Sequence, residues 1–257
     1  MKSVRDWGSG SPLLSRAGDF CFRYRRALIP LVVLGLLLAT GPAEALRSPP
    51  IAWGLTIAGI AVALAGQALR FFVIGFAYIK RGGKNGRIYA DGLVAGGVYA
   101  HVRNPMYLGN FLMLVGLVII WGSPVAFAVG VPLVGFLYFA IVVAEEGYLR
   151  DKFGSAYDDY ARCVNRFVPR LEGLRDTLEG SRYDWRKALR KEYGTPHGLG
   201  WGIVTLILFR TLRLEGFEGN GRLLVTGVLL LVPWTFLYLA VRHWKMRGGL
   251  NTRPADA

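Results

Sequence analysis

The chain has 257 residues, of which 53% are hydrophobic and 19% charged, and its mean hydropathy is +0.36. That balance excludes an ordinary soluble domain and points to an integral membrane protein. The net charge is +14, yet the Lys and Arg residues sit between apolar runs, so they are expected to set topology and meet anionic headgroups; a nucleic-acid partner is not expected.

Residues 1–26 are polar and basic, with Arg23, Arg25 and Arg26 standing just before the first apolar run, ALIPLVVLGLLLAT. Positive flanks stay inside, which places the N-terminus in the cytoplasm. Ala43-Glu44-Ala45 offers a rival reading as a signal-peptidase site, although the leading polar region is long for a signal peptide. A second run, from about Ile51 to Ile79, returns the chain to a basic loop with Lys80, Arg81, Lys84 and Arg87. The third begins at Pro105 and ends near Trp121, Gly122-Ser123-Pro124 reads as a tight turn, and the fourth ends at Glu146. Residues 147–198 are polar and carry eleven Lys and Arg.

Two further runs follow, LGWGIVTLILF and RLLVTGVLLLVPWTFLYLAV, and then the basic residues Arg242, Lys245 and Arg247. The expected fold is an all-α integral membrane protein of about six transmembrane helices, with a helical hairpin core, cytoplasmic amphipathic segments and both termini inside. The loop after the fifth run fits least well. Arg210, Arg213 and Arg222 stand where an outside loop should be poor in cations, unless they snorkel. Cys21 and Cys163 are far apart in basic segments, and no disulfide is expected.

The segment HVRNPMYLGN, residues 101–110, puts polar chemistry at the mouth of the third run. Asn104 and Pro105 make a good helix start. A helix N-terminus holds an anion, and Arg103 adds a full charge beside it. Tyr107 lies four residues on, and Gly109 allows a close approach of backbone or ligand. The hairpin of the third and fourth runs then returns Glu145 and Glu146 to the same membrane face. Tyr157, Tyr160, Arg166 and Arg170 follow along that interface. Singly, each residue has a bland explanation: interfacial anchoring for Arg and Tyr, solvation for the carboxylates, helix packing for Gly109 and Gly116. Their joint spacing argues for a pocket that takes a charged ligand on the water side and a greasy one on the lipid side.

Other motifs are absent. The glycines of 81–87 and 92–99 do not form the dinucleotide fingerprint, and no H-E-x-x-H, C-x-x-C or G-x-S-x-G occurs, so no metal is expected.

RNPMYLG at 103–109, Glu145-Glu146, FGSAYDDY at 153–160 and VNRFVP at 164–169 resemble, in order, the motifs of the isoprenylcysteine carboxyl methyltransferase and phospholipid methyltransferase superfamily. The resemblance covers roughly residues 60–170. It implies S-adenosyl-L-methionine bound at the cytosolic ends of the spans and a lipid or lipophilic acceptor in the membrane. Within it, Arg103, Asn104 and Pro105 suit the cofactor carboxylate, Glu145 or Glu146 its amine or ribose, and Tyr99, Tyr107 and Tyr157 its adenine or the pocket wall. Gly109 would let the ligand approach. Arg166, with Glu146, is the catalytic candidate and would orient an anionic acceptor.

The sequence departs from the family pattern at Asn104, often a histidine, which removes a titrating base there, and at Asn165, often a proline. His101 replaces an aromatic residue. The implied organisation is a basic segment at 1–26, membrane helices at 27–59, a methyltransferase-like core at 60–170, an amphipathic interfacial segment at 171–198, and a two-helix membrane segment with a basic tail at 199–257. Two rivals remain open at this stage: an NADPH-dependent, sterol-reductase-like enzyme with a similar core, and a non-enzymatic transporter or scaffold.

Overall fold

A computed structural model of the chain describes residues 12–76, 81–84, 87–90 and 92–250. Lys80, the first eleven residues and the tail from 251 lie outside them. The described chain is helical apart from one short hairpin. Its long elements are α1 (Pro12–Ala39), α2 (Pro49–Phe76), α3 (Pro105–Trp121), α4 (Val131–Phe153), α8 (Gly194–Glu215) and α9 (Gly221–Met246). Short helices α5 (Ser155–Cys163), α6 (Leu174–Glu179) and α7 (Trp185–Glu192) fill the polar stretch between α4 and α8. Strands β1 (Arg81–Lys84) and β2 (Arg87–Ala90) pair antiparallel, Arg81 opposite Ala90 and Lys84 opposite Arg87.

Among the described residues three helices are long and apolar enough to cross a membrane: Pro49–Phe76, Ala126–Phe153 and Gly221–Met246. The second is α4 extended by a π-helical turn at Ala126–Gly130. Two shorter apolar helices, Ala27–Ala39 and Pro105–Trp121, join them. The 17 residues of α3 rise only about 25 Å, slightly less than the hydrocarbon thickness. The first apolar run is not a separate helix. It is the second half of α1, which begins at Pro12 and carries the basic residues of its own flank.

The contacts group the chain into two units. One comprises Met1–Leu34, Phe76–Leu108 and Pro132–Tyr183; the other comprises Gly35–Gly75, Gly109–Val131 and Asp184–Ala257. In the first, Gly18 of α1 lies so close to Ala140 and Ala144 of α4 that a side chain there would collide with the Ala140 carbonyl. Gly154, at φ +55°, breaks α4 from α5 in a conformation that favours glycine. The break lets Tyr157 and Tyr160 fold back on Ala90, Leu149 and Val164 as a buried cluster.

In the second unit α2 and α3 cross along a seam of small residues. Gly59 meets Gly116, with 2.6 Å from its missing Cβ to the Gly116 carbonyl, and Gly66 meets Gly109, at 2.5 Å to the Gly109 carbonyl. Each helix spaces its two glycines by seven, so both contacts fall on one face. Such seams let backbones approach where lipid supplies no hydrophobic drive. At the far end of α3, Gly122 turns at φ +70°. Trp121 is fully buried there, donates to the Thr40 carbonyl at 3.1 Å and stacks on Phe209. Arg210 belongs to this packing and not to a loop. It lies inside α8, is buried, and donates to the Ile120 carbonyl at 2.7 Å, where the end of α3 gathers partial negative charge.

Candidate functional site

The polar mouth of α3 lies in the first unit and converges on one carboxylate. Glu146 projects from α4 and is 3% exposed. Its Oε2 accepts from Arg166 Nη2 at 2.7 Å and Nε at 3.0 Å, and lies 3.2 Å from Arg103 Nη1. Its Oε1 accepts from Asn104 Nδ2 at 3.1 Å and from Arg166 Nε at 3.1 Å. Two guanidinium groups and an amide therefore surround one anion, and Arg103 and Asn104 are as buried as Glu146. A pair this dry holds only because the hydrogen bonds replace lost hydration. The cluster lies at the start of a helix whose first turn already favours negative charge.

Three separated segments build it. Asn104 opens α3, with its carbonyl accepting from the Leu108 N–H at 3.3 Å, and its side-chain amide reaches Glu146 and, at 3.5 Å, the Arg166 carbonyl. The loop after α5 is tied to α3 by backbone. Arg103 N–H donates to the Asn165 carbonyl at 2.9 Å, and Arg170 N–H to the His101 carbonyl at 3.0 Å. The Arg166 guanidinium also lies over the Phe139 ring, 5.4 Å from its centroid.

Glu145 is only half-buried, and one of its oxygens accepts from the Tyr107 hydroxyl at 2.7 Å. The Tyr107 ring rests against Tyr138 at 5.7 Å. The adjacent carboxylates thus differ: Glu146 is held inside by cations, while Glu145 stays near the surface with a phenol. Tyr99 and Tyr157 are brought to the same unit but are buried, 2% and 1% exposed. Tyr157 packs edge-on to Tyr160, whose hydroxyl donates to the Tyr99 carbonyl at 2.8 Å. Gly109 falls in the second unit and is covered by Gly66 and by the Arg70 side chain, 2.7 Å from where its Cβ would be, so its close approach serves helix packing.

Sequence reading passed over His101, noted only as a departure from a pattern. It is 3% exposed, with Nδ1 at 2.8 Å from the Arg170 carbonyl and Nε2 at 2.9 Å from Thr177 Oγ1. Nδ1 therefore donates. The Thr177 hydroxyl also lies 3.0 Å from the Gly173 carbonyl, and its single proton serves one of the two at a time. His101 pins the loop that delivers Arg166. Its place two residues before Arg103 was the only clue in the sequence.

A phospholipid methyltransferase family model matches residues 55–156. Over that stretch the chain is similar to the phospholipid methyltransferase family. The protein-S-isoprenylcysteine O-methyltransferase of Schizosaccharomyces pombe is 31% identical over 77 residues, 30% of this chain and 33% of that protein. The nickel-cobalt-cadmium resistance protein NccN of Alcaligenes xylosoxydans xylosoxydans is 35% identical over 32% of this chain and 38% of its own length. The cobalt-zinc-cadmium resistance protein CzcN of Cupriavidus metallidurans is 29% identical over 62% of this chain and 70% of its own. The chain spans little more than a third of the first two relatives. No solved structure matches. Among the described residues no group of three or more His, Cys, Asp and Glu converges as a metal site requires. The superfamily match ends before Arg166, whose guanidinium completes the Glu146 cluster.

Proposed function

We propose that this protein is an S-adenosyl-L-methionine-dependent methyltransferase that acts on a lipophilic acceptor at the cytoplasmic edge of the bilayer. The observation that carries the reading is the buried Arg103–Glu146–Arg166 cluster at the N-terminus of α3, inside a superfamily core. Its donors suit the zwitterionic end of that cofactor. Arg103 and the helix start would hold the carboxylate, and half-buried Glu145, oriented by Tyr107, would take the amine. The bound cofactor supplies a methyl group already activated by its sulfonium. The chain's own work is to hold and orient it and to keep water away.

Arg166 has a second part in this reading. Held by Glu146 and Asn104 at the end of a loop, it is the group that would orient an acceptor bearing a carboxylate or phosphate. Asn104 does not titrate near neutral pH, so the acceptor's nucleophile would lose its proton to water or act as an anion already. Neither a metal ion nor nucleic acid takes part, and the +14 net charge meets lipid headgroups.

The test is thermal unfolding of the detergent-purified full chain with S-adenosylmethionine, S-adenosylhomocysteine or NADPH, followed by labelled methyl transfer into lipid extracts. Stabilisation by the two adenosyl compounds and label in lipid support the reading. Stabilisation by NADPH alone would move the protein to a reductase. No stabilisation by any of the three would sink the enzyme reading.

A further inference from the structure

Helices α7, α8 and α9 lie beyond the superfamily match, and their chemistry is not used by the Glu146 site. A groove of about 420 Å³ runs between α8 and α9, lined by Trp201, Val228, Leu231, Val232, Phe236 and Leu239, with Thr235 in its floor. The α9 residues follow one another at intervals of three and four, so they form one face about 16 Å long. Val228, Val232, Phe236 and Leu239 are all exposed along it.

The same spacing continues from Leu239 to Arg242 and His243, which are exposed one turn further on. Apolar groove and cationic end therefore lie on one helix face. Beside that end stands an aromatic column. Tyr238 stacks on His197 at 4.2 Å and on Tyr193 at 5.3 Å, Lys245 lies 4.7 Å from the Tyr193 centroid, and Trp185 faces Trp244 at 6.2 Å.

The charges at this end are unbalanced. Helix α7 brings Arg186, Lys187, Arg190 and Lys191, and the end of α9 brings Arg242, Lys245 and Arg247. Among the described residues two carboxylates lie on or beside α7, and of these Asp184 caps α7 by accepting from the Lys187 N–H at 2.8 Å. Glu192 is buried against Arg70 at 2.6 Å, beside Gln67. Glu192 is thereby withdrawn from the collar, and Asp184 acts on Lys187. Burial holds the Lys187 ammonium below the usual lysine pKa; Asp184 pulls it back up and the neighbouring Arg190 lowers it further.

We propose that α7–α9 form a binding site for an anionic phospholipid of the surrounding bilayer, with an acyl chain in the α8–α9 groove and the phosphate among Arg242, His243 and Lys245. The groove offers only apolar contact and a tryptophan wall, which suits a hydrocarbon chain. The collar offers several donors to an anion, with tyrosine and tryptophan rings at interfacial depth. A zwitterionic lipid would bring its own cation to that collar and gain less.

Thermal unfolding of the full chain in detergent, titrated with phosphatidylglycerol, phosphatidylcholine or inorganic phosphate, tests the proposal. Phosphatidylglycerol is expected to stabilise at concentrations about tenfold lower than phosphatidylcholine. Val232→Trp, which fills the groove from an exposed position, should abolish that preference without lowering the unliganded midpoint. A double variant, Arg242→Gln with Lys245→Gln, should make the two lipids equivalent. Equal effects of both lipids on the wild type, or an unaltered preference in Val232→Trp, would overturn the proposal. Stabilisation by inorganic phosphate matching that by phosphatidylglycerol would also overturn it, because the groove would then contribute nothing.

Discussion

The mouth of α3 and the end of the α8–α9 hairpin are both basic and aromatic, yet they treat charge in opposite ways. At the mouth, Arg103 and Arg166 close on Glu146, with Arg103 and Glu146 removed from water. On the hairpin, Arg242 and His243 are exposed, with no ion pair to a carboxylate among the described residues. Buried charge must be paired and hydrogen-bonded in one geometry, and that requirement makes a defined site. Exposed charge on a membrane helix leaves geometry loose and selects the sign of what approaches. Similar composition therefore gives a buried, paired cluster in one region and exposed cations in the other.

The sharpest way to break this contrast is Glu146→Ala. Removing the shared anion leaves two guanidinium groups facing each other in a buried cluster, and a loss of about 3–5 kcal/mol is expected. Chemical unfolding in detergent measures it, and any stabilisation by S-adenosylmethionine should disappear as well. A variant with wild-type stability would mean that water reaches the cluster freely.

Next in size is a change that touches no charge. Gly116→Val puts a side chain against Gly59 and, at 2.7 Å, against the Ala63 backbone nitrogen, where only backbone movement makes room. Overpacking of this kind costs about 1–3 kcal/mol. It should lower the unfolding midpoint without changing the preference for anionic lipid.

Tyr107→Phe is expected to cost about 1 kcal/mol, the hydrogen bond to Glu145. The proposed function adds a second outcome: weaker stabilisation by S-adenosylhomocysteine, read from a ligand titration. Full retention would take Glu145 out of the cofactor pocket. Smallest of all is Arg242→Gln, expected to change stability by less than about 0.5 kcal/mol, because the side chain is exposed. If it destabilised as strongly as Glu146→Ala, the two regions would not differ in the way their burial implies.

Much of this was legible in order along the chain. The limits of α3 at Pro105 and Trp121 followed from a proline start and a Gly-Ser-Pro stop. The return of Glu146 to Arg103 followed from hairpin arithmetic. Less visible was the extent of α1, because the basic flank and the apolar run share one helix that continues through Pro30, where a proline would ordinarily mark a break. Arg210 misled as a topological cation, since sequence counts charges and does not show that a guanidinium can end on a helix carbonyl. Gly109 had two readings, and only the crossing of α2 showed which contact it makes.

The sequence by itself determined the membrane class, the order of the helices, the motifs and the return of Glu146 to the face of Arg103, because apolar periodicity and local motifs are properties of short stretches. The tertiary structure alone decided that Arg103 and Arg166 share one carboxylate, that His101 holds the loop bearing Arg166, and that Glu192 leaves the α7 surface for Arg70. Those contacts join residues 20 to 122 positions apart. No local preference encodes such partners; they are chosen when buried polar groups must find the donors and acceptors that packing has brought within reach.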